Sequence, residues 1–250
     1  YSDHLAHLCF VFADEAINPD SKGEEARLKS YITERRIFVE GKFRDPIEVE
    51  NHLKIIIASN NDKVIPAGPT ARRFVVCEVS KKMLGNRQYF HALKSEIKKG
   101  GTAAFFHFLS RVPLGHWHPR EDVPKTGALR RQQVQNLAGV EAAFHDMLAT
   151  GLVPMVLDYS DQKATNKYAP GCRVSTLTLR GIATSQARYR ITSNDVATFL
   201  SKLRFKKQDD SPRGYELPAL AHARAAWDRA MFPVAWPDCP EWQAMPGDKF

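Results

Sequence analysis

No run of about 18 consecutive apolar residues, the least that spans a bilayer as a helix, occurs anywhere in the chain, which excludes a membrane-crossing helix of that kind. No basic head followed by an apolar core opens the sequence, so no secretory leader is read there. Cysteine is sparse: Cys9, Cys77, Cys172 and Cys239 stand far apart and form no CxxC pair. That spacing excludes a thiolate zinc ribbon and a disulfide-stapled scaffold, and points to free thiols in a reducing compartment. Internal repeats and low-complexity tracts are absent, as is any legible Ser/His/Asp or Cys/His set. The HWH at 116–118 lies in a Pro-rich stretch without a neighbouring cysteine and is a poor metal site.

What is there suits a protein with a real core. Of 250 residues, 43% are hydrophobic and 26% charged, giving one large or two small domains of ordinary soluble character. Lys and Arg number 36 against 28 acids, for a net charge of +8. A basic balance points to a polyanionic partner, although many basic proteins bind none. The chain opens at Tyr1, without Met, a few residues before an apolar strand. A fragment lacking its N-terminal part is the expectation.

Residues 8–18, LCFVFADEAIN, pass from an apolar stretch straight into two adjacent acids, Asp14 and Glu15. A strand ending in a surface turn is the plain reading. The sharper reading is a Walker B element. There the first acid holds Mg²⁺ through water and the second polarises the water that attacks a γ-phosphate. That reading needs partners downstream. Residues 23–33 predict a short helix. IFVEGKFRDPIEVEN, 37–51, has two β-prone runs about Gly41-Lys42 and predicts a hairpin with Lys42 near its tip. HLKIIIASNND predicts a strand over 53–59, and its three consecutive isoleucines suit a parallel strand covered on both faces. It ends in Ser59-Asn60-Asn61, where Asn60 is either a sensor of the γ-phosphate and its water or plain turn chemistry. A Pro/Gly loop leads to Arg72-Arg73 and a third expected strand over 74–80. An arginine finger would lie here; an ion pair or a surface pair is the ordinary alternative.

Further on, a helical region over 86–110 is interrupted at Gly100-Gly101. Residues 113–127 form a connection, and a helix is expected over 128–150. Residues 192–203 predict a capped helix. Residues 204–217 then give two short strand-like runs bearing Arg204, Lys206, Lys207 and Arg213, with acids Asp209 and Asp210 at the turn. A helix of 219–230 follows.

FVFADEA, LKSYITERRIFVEGK, IIIASNNDKVIPAG and ARRFVVCEVS resemble the phage and plasmid primase-helicases with a superfamily-three, AAA+-like ATPase core. HWHPREDVPKTGALRRQQ and LPALAHARAAW extend the resemblance over most of the chain, most weakly at 151–190. It implies an α/β fold: a P-loop NTPase parallel sheet core, incomplete at its N-terminus, a helical linker and a C-terminal winged-helix-like domain. The segments would be 1–112, 113–150 and 151–250. The resemblance makes Asp14 the Mg²⁺-associated acid, Glu15 the general base and Asn60 the sensor. Lys42 becomes a channel lysine on single-stranded DNA. Arg72, and after it Arg73, becomes the finger, and Lys29 falls in the motif between Walker B and sensor. It implies ATP and Mg²⁺ as cofactors, a homo-oligomer (a hexamer when complete), duplex DNA at the winged helix, no membrane, and the cytosol of a bacterium or phage-infected cell. The departure is large: no GxxxxGK[ST] occurs in the 250 residues, and the family carries that loop upstream. Without it tight ATP binding is not expected, so the fragment alone is expected to be inactive. The competing readings are a winged-helix DNA-binding protein with a non-catalytic ATPase-like scaffold, and a protein-remodelling AAA+ module. The Lys-tipped hairpin argues against the latter, since protein-threading loops usually expose an aromatic residue.

Overall fold

The structure, a computed structural model, describes residues 2–15, 21–118, 121–153, 173–187, 190–209 and 214–244. The chain packs as two compact units, residues 1–71 with 130–250, and residues 72–129. These are divisions by packing. The segments 1–112, 113–150 and 151–250 are divisions by role, which packing does not test.

In the first unit, β1 (Phe10–Asp14) precedes α1 (Lys22–Thr33), β2 (Arg36–Val39), β3 (Ile47–Glu50) and β4 (Lys54–Ala58). The Ser21 hydroxyl accepts from the Glu24 N–H and starts α1, with Glu24 and Glu25 at its positive end. β2 and β3 form the expected antiparallel hairpin, whereas β1 and β4 pair in parallel, Phe10 opposite Lys54 through Asp14 opposite Ala58. Ile37, Val39 and Leu53 are buried with Val11, Tyr31, Val49 and Ile55 against them. Val11 and Ile55 share one face of the parallel pair. Phe10, Phe12 and Ile56 lie on the other and are 56%, 58% and 51% exposed. The expectation that these strands are covered on both faces is therefore corrected. Alternate side chains of a strand point to opposite faces, and among the described residues only the face of Val11 and Ile55 packs on a buried cluster.

The second unit holds α2 (Arg87–Glu96) and α3 (Thr102–Ser110). They are joined by a widened turn over Ile97–Gly101, where Gly100 sits at φ +105° and breaks the axis as its position predicted. Neither helix buries a residue. The strand expected over 74–80 is absent: those residues pair with no strand among the described residues. Its three valines give it strand composition, but a strand exists by its ladder, and Val75 and Val79 stand exposed.

The helix expected over 128–150 is two, α4 (Gly127–Gln135) and α5 (Gly139–Thr150). At the break the Asn136 amide turns back to the carbonyls of Gln132 and Ile65, both at 2.8 Å. α5 ends on Gly151 at φ +69°, where an added Cβ would meet Cys239 Sγ at 2.5 Å, so only glycine fits. The chain continues through β5 (Leu152–Val153), β6 (Arg173–Ser175), α6 (Thr176–Gln186), α7 (Ser193–Lys202), β7 (Lys207–Gln208), β8 (Gly214–Glu216), α8 (Leu220–Ala230) and β9 (Gln243–Ala244). β6, β8 and β7 form an antiparallel sheet in that order. Phe144, Leu148, Val174, Leu179, Val196, Leu200, Leu217 and Trp227 make one core among these elements. Burying each such side chain contributes about 1.5–3 kcal/mol before conformational entropy is charged against it.

His145 is set within that core, its ring 5.5 Å from Trp227 and 5.4 Å from Trp236. Its Nε2 has no hydrogen-bond partner among the described residues, and Nδ1 lies 3.9 Å from Asp146. Burial holds its pKa below the ordinary 6.5, against the upward pull of Asp146. The unfolded chain then binds the proton more readily, so this contribution to stability is full above pH 6.5 and is lost as pH falls toward the folded pKa. Glu141, raised by burial, acts in the opposite sense above pH 4.5. Comparison with His145→Phe isolates the histidine. In urea unfolding followed by tryptophan fluorescence, the wild type should lose stability relative to H145F below pH 6.5, by about 1.4 kcal/mol per unit of depression. Parallel curves would mean that the ring is solvated.

Candidate active site

The parallel register brings the ends of β1 and β4 side by side, with Asp14 opposite Ala58 and Asn60 two residues beyond. Glu15 leaves the strand at φ +52°, a left-handed conformation rare for a side chain of its size and of order 1 kcal/mol above the β region. Its N–H still donates to the Ala58 carbonyl at 2.9 Å, so the turn is anchored to β4. Oε1 accepts from both the backbone N–H and the Nδ2 of Asn60, each at 3.1 Å. A carboxylate has about four acceptor positions, so capacity for a further donor, such as a water, remains. Asp14 and Glu15 are both exposed. Asn61 N–H in turn donates to Ser59 Oγ at 3.1 Å, shaping the turn that presents Asn60. Sequence reasoning placed these residues on two strands, and the structure joins Glu15 to Asn60 directly.

The loop after Asn60 is fastened from α4. Gln132, buried, accepts from Val64 and Ile65 N–H and donates to the Asp62 carbonyl at 2.6 Å. Gln133, also buried, donates to the Gly68 and Pro69 carbonyls. A buried amide stripped of such partners costs about 1–3 kcal/mol, so these side chains fix the loop. They were missed in the sequence, although two adjacent glutamines near the end of one short helix, with Asn136 just beyond it, were the available signal.

Lys42 and Phe43 top the hairpin. The connection between β2 and β3 is not a two-residue Gly41-Lys42 turn but runs over 40–46, lengthened by Asp45-Pro46. Phe43 holds φ +58° and is 90% exposed, and Lys42 Nζ lies 5.1 Å from its ring centroid. Lys42 thus shares the hairpin's tip with an exposed aromatic residue, which removes the ground on which the hairpin was set against a protein-threading loop. Lys29 is tied to Glu25 one turn earlier on α1. Arg72 and Arg73 open the second unit and are exposed.

In the C-terminal sheet and helices, Thr192 and Asp195 form a reciprocal capping box on α7. The Thr192 backbone N–H and hydroxyl hold the Asp195 carboxyl below its ordinary range. Val196, Phe199 and Leu200 face inward; Ser193, Asn194, Thr198 and Ser201 face out. Arg204 is exposed in the left-handed turn after α7. Lys206 pairs with Glu216 at 3.7 Å and Lys207 with Asp209 at 2.7 Å, which offsets part of this segment's positive charge. Arg213 and Asp210 lie outside the described residues.

An exposed carboxylate at Asp14 suits Mg²⁺, which takes one or two carboxylates and keeps its waters; bound there, the ion would neutralise phosphate charge. No three His, Cys, Asp or Glu side chains converge as metal ligands anywhere among the described residues. No helix among those residues is long and apolar enough to cross a membrane.

Comparison with known proteins agrees with a mixed α/β fold. A family model described as a family of unknown function (DUF5906) matches residues 1–73. No curated protein matches. The apo structure of the NrS-1 C-terminal region (305–718) is similar at a TM-score of 0.56 and 15% identity, over 87% of this chain and 56% of that one. At that identity the likeness is one of fold, and the chain spans little more than half of that structure's length.

Proposed function

We propose that the chain is the ATPase and DNA-contacting part of a replicative primase-helicase of phage type, an ATP-dependent DNA helicase when complete. The observation that carries this is the convergence of Glu15 with Asn60 from the C-terminal ends of adjacent parallel strands, beside Asp14. Ligands of open α/β sheets bind at that edge. In this reading Glu15 takes the proton from the attacking water, while the Asn60 amide holds the carboxylate and the water in line. Asp14 holds the waters of Mg²⁺, and ATP is gripped by a phosphate-binding loop ahead of β1. Arg72 or Arg73 reaches the γ-phosphate of a neighbouring subunit in a homo-oligomer, a hexamer when complete.

The hairpin offers Lys42 to a single strand. β6, α6, α7, β7 and β8 run in the order of a winged helix, with sheet order β6-β8-β7, and we read α7 as the helix turned toward duplex DNA. Arg204, Lys206, Lys207 and Arg213 would lie on phosphates, the lysines after exchanging their acidic partners. The site of action is the cytosol of a bacterium or phage-infected cell. The exposed Phe43 would serve a protein-remodelling loop as well, but the chain's charge of +8 favours a polyanion.

The test is single-strand-stimulated ATP hydrolysis and duplex unwinding by a chain carrying the phosphate-binding loop. Lys42→Ala should cut unwinding at least tenfold and leave DNA-independent hydrolysis intact. DNA affinity without hydrolysis would favour the second reading, a winged-helix DNA-binding protein on an inert ATPase-like scaffold.

A further inference from the structure

The chain's positive charge is concentrated in residues 72–129. They hold eleven Lys and Arg against four Asp and Glu, a net +7 of the total +8. Within that unit, α2 lays Arg87, His91 and Lys94 along one face, at spacings of four and three residues. Phe90 stands in the same row, 44% exposed, with Tyr89 edge-on to it at 5.2 Å. Gly85, Arg87, Phe90, His91 and Lys94 together line a depression of about 520 Å³. The acid of this helix, Glu96, lies half a turn round from Arg87. None of these side chains takes part in the site described above.

We infer that this face of α2 binds single-stranded nucleic acid. The row from Arg87 to Lys94 extends about 10 Å along the helix, longer than a single phosphate. Cations beside an exposed ring are the two elements of sequence-tolerant single-strand binding: charge follows the backbone and the ring stacks a base. A duplex keeps its bases stacked on one another and would use the charge alone. An anionic membrane or an acidic protein would likewise use the charge, without a requirement that residue 90 be aromatic. The contact stands apart from ATP hydrolysis and does not depend on Glu15.

The test is fluorescence anisotropy with the full 250-residue chain, using labelled oligo(dT), a duplex of equal length and phosphatidylserine vesicles, from low to moderate salt. The variants are R87A/K94A, F90A, F90L and F90Y, all at exposed positions, with circular dichroism confirming that each is folded. The share of affinity that F90A removes should be larger for oligo(dT) than for the duplex or the vesicles. R87A/K94A should reduce the salt slope by roughly 0.7 per lost contact. F90A and F90L should weaken oligo(dT) binding by about 5- to 150-fold at unchanged slope, and F90Y should restore it. A loss in F90A as large on the duplex or the vesicles as on oligo(dT), full affinity for oligo(dT) in F90L, or a slope unmoved in R87A/K94A would overturn the assignment.

Discussion

Glu15→Gln, in a chain carrying a phosphate-binding loop ahead of β1, should lower ATP turnover by about 10²–10⁴-fold and leave Mg²⁺·ATP affinity nearly unchanged. The substitution keeps the shape of the side chain and an oxygen able to accept from Asn60, whose N–H and Nδ2 both lie 3.1 Å from Oε1. What it removes is the basic carboxylate. Phosphate release measures the first effect and nucleotide titration the second. Near-normal turnover would make Glu15 a structural acceptor that merely pins the end of β4. Loss of binding together with turnover would point to collapse of the turn, whose φ of +52° already stores strain.

Arg72→Ala should cost about 10³–10⁵-fold in turnover if its guanidinium stabilises the transition state across a subunit boundary. The experiment that separates a finger from a surface arginine is mixing. R72A subunits keep an intact Glu15, and E15Q subunits keep an intact arginine. A mixed oligomer therefore regains sites with both groups, and activity should rise above that of either variant alone. Absence of complementation, with R72A active by itself, would pass the role to Arg73 or remove it from both. Both arginines are exposed at the start of the second unit, as a residue that serves a neighbour must be.

The acid pair, the hairpin and the asparagine were legible because each is a local pattern: an apolar run ending in charge, two β-prone runs about a turn, an isoleucine run ending in polar residues. Strand pairing then brought Glu15 onto Asn60, and no local pattern could have shown that hydrogen bond. The misread elements failed for want of partners. Residues 74–80 have strand composition and no ladder, and Phe10, Phe12 and Ile56 have core composition and no cover among the described residues. The helix over 128–150 broke because the Asn136 amide found carbonyl partners in a loop 71 residues away in sequence. Lys206 and Glu216 are ten residues apart in sequence and meet at 3.7 Å only across the β7–β8 pairing, whereas the Asp209 that Lys207 contacts stands two residues away and was visible in the sequence.

The proposed role of Glu15 and Asn60 is to hold the attacking water. A crystal structure of the loop-containing protein with Mg²⁺, ADP and aluminium fluoride tests it most directly. The in-line water is expected within hydrogen-bond reach, about 2.6–3.2 Å, of the Glu15 carboxylate, with the Asn60 side chain beside it. A nucleotide bound away from the ends of β1 and β4, or a water held by other side chains, would contradict it.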